Sequence, residues 1–290
     1  MLISLFALLA AAQAAPATPP APLPSDPVAS DWKPIPDDEL LVITLAGNRI
    51  VVIRLAPGYA PEHVANVRKL AQAKWWDGES VYRVQEGWVA QWGDPNEKDQ
   101  DRRPLPAGVV KVPAAEYDIV TFAPAQRLAR ADAYAIASGI TADGWPIATD
   151  GNASWLTHCY GTVGVARDSS PDTGSGSELF TPIGQAARRL DRNYTIVGRI
   201  IEGMKYLSAL PRSDAPLGVY ATAVERTPIV SVRLANDIPA AQRPHFEYRA
   251  ADNARFTAML DLRLHPKGLV PLGGIDVCDV PLAARRISAK

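Results

Sequence analysis

Apolar residues in this chain come mostly in short runs bounded by Gly, Pro, Asn or Asp, the pattern of strands joined by turns rather than of long helices. Residues 40–45 and 50–55 are two such runs, and they flank Gly47-Asn48, a pair that tolerates positive φ; together they predict a hairpin of core strands. Pro61 then suits a first helical turn, and Val64, Val67, Leu70 and Ala71 recur at three- and four-residue steps, so a helix is expected over residues 61–73. A second hairpin is expected over residues 81–94, where β-rich segments flank Gln85-Glu86-Gly87 and the Gly can take the positive φ of a tight connection.

Beyond it the pattern weakens. Residues 95–104 are polar and predict a surface loop, residues 109–117 a short strand, and the Ala-rich residues 123–138 a helix; residues 139–160 are placed on the surface without a conformation. Residues 161–167 predict a strand carrying Gly161 and Gly164, where a missing side chain usually means that something approaches the backbone. A loop follows over 168–177, then a strand over 194–201 and a short helix over 203–210. An extra strand is expected over 226–233, a helix over 253–262 and a last strand over 273–278. Many short strands with few helices argue for a mostly β barrel or sandwich.

Composition narrows the function classes. With 47% hydrophobic and 21% charged residues the chain can bury a core, and its formal net charge of -1, with no Lys/Arg run, makes nucleic acid an unsuitable partner. Residues 2–14 form an apolar run too short to span a bilayer, ending in Ala12-Gln13-Ala14; this reads as a signal peptide cut after Ala14. Residues 15–36, rich in Pro and Ala, read as an extended linker. Cys159 and Cys278 lack the spacing of a metal site; they either pair, as an oxidising compartment permits, or remain two separate buried thiols. His63, His158, His245 and His265 are scattered and read as structural or surface residues.

The chemistry-bearing stretch is the second hairpin, which can gather Arg83, Gln91, Trp88 and Val89 into one guanidinium beside an apolar patch. This stretch resembles the Phe-His-Arg-x-x-x-Gly-Phe-x-x-Gln-Gly-Gly-Asp pattern of the cyclophilin family of peptidyl-prolyl cis–trans isomerases. Val64-Ala65-Asn66-Val67 is similar to the family's Val-Ala-Asn-Phe, and residues 161–180 to its Gly-x-(Val/Leu)-x-Met-Ala…Gly-Ser-Gln-Phe-Phe. Leu190-Asp191 with Val197-Gly198-Arg199-Ile200 are similar to its Leu-Asp…Phe-Gly-x-Val. The four segments follow in order over roughly residues 40–210.

The resemblance implies a closed eight-stranded barrel capped by helices over residues 37–210, with an insertion at about 95–160 and a C-terminal extension at 211–290 packed on the barrel. It implies Arg83 as the catalytic arginine and Gln91 as the residue that holds it. Trp88, Val89, Phe180 and Leu190 would line a proline pocket, Ala166 and Arg167 would receive the peptide, and Tyr194 would stand where the family often has His. Tyr82, Trp92, Glu178 and Arg189 replace the family's His, Gly, Gln and aromatic residue; Glu178 would take the place of a Gln that contacts substrate, close enough to Arg83 to pair with it. The resemblance implies isomerisation of prolyl bonds in proline-containing polypeptides without cofactor. With the signal peptide it gives an expected role on exported proteins in the periplasm, without membrane insertion once that peptide is removed, and with a monomer as the default where the sequence is silent on oligomeric state. The rival is a cyclophilin-like module that binds proline segments and turns them over poorly.

Overall fold

A computed structural model describes residues 24–96, 101–118, 121–130, 132–185, 187–270 and 273–287. The expected signal peptide and the start of the expected linker lie outside the described residues. In chain order the elements are β1 (Trp32–Pro34), β2 (Leu40–Leu45), β3 (Arg49–Leu55), α1 (Pro61–Gln72), β4 (Ser80–Val84) and β5 (Val89–Gly93). The middle of the chain holds β6 (Gln126–Arg127), β7 (Ala137–Ile140), β8 (Pro146–Thr149), β9 (Ser154–Leu156), β10 (Thr162–Val165) and β11 (Leu179–Pro182). Then come β12 (Ile196–Glu202), α2 (Met204–Ser208), β13 (Thr227–Leu234), β14 (Phe246–Arg249), α3 (Ala254–Leu264) and β15 (Ala284–Arg286).

Eight strands close a barrel in the order β10-β11-β5-β4-β13-β2-β3-β12. The β2–β3 hairpin turns through Gly47 and Asn48, both at positive φ as their types allow. Period two explains why β2 is apolar at all but Thr44: Leu41, Ile43 and Leu45 fill the barrel, while Leu40 and Val42 face out under a second sheet. Val64, Val67 and Leu70 of α1 and Leu207 of α2 plug into the barrel core, as their spacing predicts for helices that cap it.

Several expectations fail for identifiable reasons. The barrel does not end at residue 210: β13, expected as an extra strand, pairs with both β2 and β4 and closes the sheet. Among the described residues of 123–160 there is no helix but the four-stranded sheet β6-β7-β8-β9, whose Ile140, Ile147 and Ala148, with Trp145 just before β8, are all but inaccessible rather than on the surface. Strands of two to four residues are too short to show a period, and alanine permits helix without requiring it. Residues 109–117 form no strand; this loop is held by side chains, with Asn66 bonding both ways to the Val110 backbone at 2.8 and 3.0 Å.

Finally, the linker region is not a free spacer over residues 32–34, where β1 pairs with β14 in a sheet completed by β15. Phe246 of β14 and Ile35 pack on the outward Leu40 and Val42, and this fixes the extension to the barrel wall. The expected strand at 273–278 is absent, with a 3-10 turn over Val277–Asp279 instead, and α3 starts where Asn253 caps Phe256 N–H at 3.0 Å. Cys159 and Cys278 are joined in a disulfide that ties the extension to the segment before β10. Among the described residues no helix is long and apolar enough to cross a membrane.

Candidate active site

Barrel register builds the site. Gly164 on β10 sits opposite Phe180 on β11, Phe180 opposite Gln91 on β5, and Gln91 opposite Arg83 on β4. Residues directly opposite share a face, so one row across four strands presents an aromatic ring, an amide and a guanidinium together. Gly164 makes the row possible, because a Cβ there would lie 2.4 Å from the Phe180 ring. Its lack of a side chain admits the close approach that a strand glycine suggests.

Arg83 is seated by three neutral acceptors. Its Nε donates to the Leu217 carbonyl at 2.7 Å, Nη1 to Gln91 Oε1 at 3.0 Å and Nη2 to Gln85 Oε1 at 2.7 Å. A guanidinium carries five N–H bonds, so two are left for a ligand. Burial pulls its pKa below the ordinary arginine value, and it stays charged at any physiological pH. The Leu217 carbonyl comes from a short turn at 216–218, in which Leu217 and Gly218 both have positive φ and Gly218 lies against Gln85. No residue signal marks it, since a backbone acceptor leaves no trace in side-chain chemistry.

The apolar wall is a separate small cluster: Val89, Phe180 and Leu190, with Trp88, Ala166 and Tyr194 packed against them. Together with Arg83, Gln91 and Arg167 these residues line a cleft of about 210 Å³, the size class of one ring and its flanking backbone. Phe180 is clamped edge-on by Tyr194, with centroids 5.5 Å apart, and stacked from behind by His158 at 6.1 Å and 4°. Sequence reading treated His158 as incidental. Its position depends on Asp191, which accepts from the His158 amide at 2.7 Å, from Trp155 Nε1 at 3.0 Å and from Arg188 Nε at 2.7 Å.

Two cations flank the cleft, Arg189 stacked 5.3 Å from the Trp88 centroid and Arg167 4.9 Å from that of Tyr194. A larger groove of about 620 Å³ lies over the outer sheet near Pro34 and Phe246, but its arginines are already paired, Arg243 on Asp37 and Arg286 on Glu202, and His245 Nδ1 lies 3.0 Å from the same Asp37.

Glu178 is the one expected site residue that does not line the cleft. Its carboxylate lies over Gly93, where a Cβ would be 2.3 Å from either oxygen, and accepts from Tyr82 Oη at 2.8 Å and the Asp94 amide at 2.6 Å. It therefore faces away from Arg83 and does not pair with it. Burial pushes its carboxyl up to about 8. Tyr82 is the extra residue of a β-bulge between Val81 and Arg83, and a bulge re-aims its side chain toward Gln91, whose amide N–H it accepts. Trp92 points inward and is 1% exposed, so the barrel core absorbs its bulk.

The family profile described as cyclophilin type peptidyl-prolyl cis-trans isomerase/CLD matches residues 40–234, the span from β2 through β13. Proteins of Brucella suis and Brucella abortus called probable peptidyl-prolyl cis-trans isomerase are each 26% identical over 178 residues, covering 61% of this chain and 74% of their own. The crystal structure of cyclophilin AquaCyp293 from Hirschia baltica superposes with a TM-score of 0.69 at 24% identity, over 89% of this chain and 94% of its own, a likeness of fold that takes in the insertion and the extension. With the profile covering most of the described barrel, this chain belongs to the cyclophilin-type peptidyl-prolyl cis–trans isomerases.

Proposed function

We propose that the chain isomerises prolyl bonds of exported proteins, Arg83 donating to the prolyl nitrogen while the Val89–Phe180–Leu190 wall holds the ring. The observation that carries this is the seating of Arg83: three neutral acceptors orient it at the mouth of an apolar cleft and leave two N–H bonds uncommitted. An X–Pro bond turns slowly because amide resonance must be broken. Donation to the nitrogen favours the twisted, pyramidal geometry and is stronger there than in either planar isomer, so it lowers the barrier rather than merely binding substrate.

Magnitudes share out the work. Shortening a time constant of ~100 s to ~1 ms takes about 7 kcal/mol, whereas one charged hydrogen bond supplies roughly 1.5–3. The remainder falls to the cleft, which strips water from the imide and immobilises the ring. A peptide isomerisation assay on wild type and Arg83→Ala tests the reading.

Export is part of the proposal. The apolar run at residues 2–14 and its small-x-small end support it, and so does the Cys159–Cys278 disulfide, which suits an oxidising compartment such as the periplasm. N-terminal sequencing of the mature protein after fractionation checks it, with Ala15 expected first. The rival, a module that holds proline segments without turning them over, draws on Arg189, which stacks on the Trp88 side of the cleft. Peptide binding by calorimetry with isomerisation at background would favour it.

A further inference from the structure

We propose that Glu178, acting through Tyr82, is a positioning residue that fixes which end of the Gln91 amide faces Arg83, and that protonating Glu178 undoes the arrangement. This rests on the reading in which Arg83 acts on the prolyl bond. The argument follows the direction of each hydrogen bond. A guanidinium has donors only, so the end of Gln91 facing Arg83 must be Oε1, as observed at 3.0 Å. Its other end, Nε2, is then a donor and faces Tyr82 Oη, which must accept. The single Tyr82 proton has to go elsewhere, and it goes to Glu178 Oε2 at 2.8 Å. Glu178 Oε1 is meanwhile occupied by the Asp94 amide at 2.6 Å.

Both carboxylate oxygens thus face donors, and the ionised form suits the whole chain of bonds. A proton on Oε2 takes the place of the Tyr82 hydrogen and points at Tyr82 Oη. The Tyr82 hydrogen is then satisfied only if Gln91 turns its oxygen toward it, and the turned amide aims N–H at the N–H of Arg83. Three segments bring ionisable groups toward Glu178: β4 with Tyr82, the residue after β5 with Asp94, and the following loop with Arg102, whose charge favours the ionised form while Asp94 opposes it. Because burial carries the carboxyl up to about 8, this titration falls near neutral pH.

The test is kcat/KM on a proline peptide from about pH 6 to about pH 10 for wild type, Glu178→Gln and Tyr82→Phe. Wild type is expected to gain roughly tenfold through the titration, in kcat rather than KM, which is the worth of one charge-assisted bond to Arg83. In Glu178→Gln the Asp94 amide still requires an oxygen, so the new NH₂ faces Tyr82 and copies the protonated form; this variant should sit at the low plateau at every pH. Tyr82→Phe should do the same, and the double variant should be no slower than either alone. A Glu178→Gln protein that keeps the wild-type inflection, or a flat wild-type profile with Glu178→Gln at the wild-type rate, overturns the proposal. The Gln91 side-chain amide and Arg83 Nε–H resonances in wild type give a readout independent of turnover: they should shift together with the Glu178 titration, and their indifference to it also overturns the proposal. If wild type shows no isomerisation at any pH, the assignment of Arg83 fails, and these resonances still decide the coupling.

Discussion

Replacing Arg83 by Ala removes the guanidinium that the strand register places beside Gln91 in the cleft. Of its five N–H bonds, three are spent on Leu217, Gln91 and Gln85, so the proposed donation to the prolyl nitrogen rests on the two that remain. Losing one charged bond made chiefly in the transition state costs roughly 1.5–3 kcal/mol, or about 10- to 150-fold in kcat/KM. The fall should lie in kcat, because Val89, Phe180 and Leu190 still bind the ring. Stability should change by less than about 1 kcal/mol, since Arg83 is only half-buried and its neutral partners can turn to water. Arg83→Lys should recover little, because an ammonium cannot serve three divergent acceptors at once. A protease-coupled assay, with exchange spectroscopy as a protease-free check, measures the rate, and thermal unfolding monitors the fold. A folded Arg83→Ala protein within about twofold of wild type would refute the reasoning.

Other outcomes follow from the same contacts. Gly164→Ala places a Cβ 2.4 Å from the Phe180 ring, so KM should rise about threefold or more while Arg83 stays in place; unchanged KM would show that the ring is free to move. Gly218→Ala must move the 216–218 turn off Gln85, which its Cβ would meet at 2.6 Å, and so loosen the Leu217 carbonyl on Arg83; kcat should fall with KM kept, and equal kcat would mean that this bond is dispensable. The disulfide spans 119 residues, so reducing it should cost about 5 kcal/mol in the chain-entropy account; a loss under about 1 kcal/mol in urea unfolding would contradict that. Glu178 titrates at about 8 when folded against 4.5 when free, so the folded chain holds more protons between those values and stability falls as pH rises through them. Glu178→Gln should therefore stabilise the fold at about pH 9, by a few kcal/mol at most, and raise Tm there but not at about pH 5; the reverse order would sink the assignment of a raised carboxyl.

Much of the site was legible because it lies on regular strands. Once the second hairpin is read, Arg83, Gln91 and Val89 share a face by period two, and motif order brings in Phe180 and Leu190. What sequence reading missed breaks that regularity. Tyr82 sits in a bulge, which no alternation announces, and it takes Glu178 away from Arg83. Leu217 contributes only its backbone, and His158 acts through the far side of Phe180. The sheet at 126–156 hid because its strands are two to four residues long and lie against other surfaces, while β1 hid in a Pro/Ala-rich segment that looks unstructured until β14 arrives.

The closing strand also sets a schedule. β13 ends at Leu234 of 290 residues, and the Leu217 carbonyl is 134 positions beyond the arginine it seats. A chain emerging from its N-terminus therefore carries Arg83 long before it has either a barrel or a seat for it. Until residue 234 is available, β2 and β4 each offer an open edge, the surface on which strands from other chains add. The protein is thus silent for most of its own synthesis. During that interval it is in the position of the unfinished polypeptides it is proposed to serve.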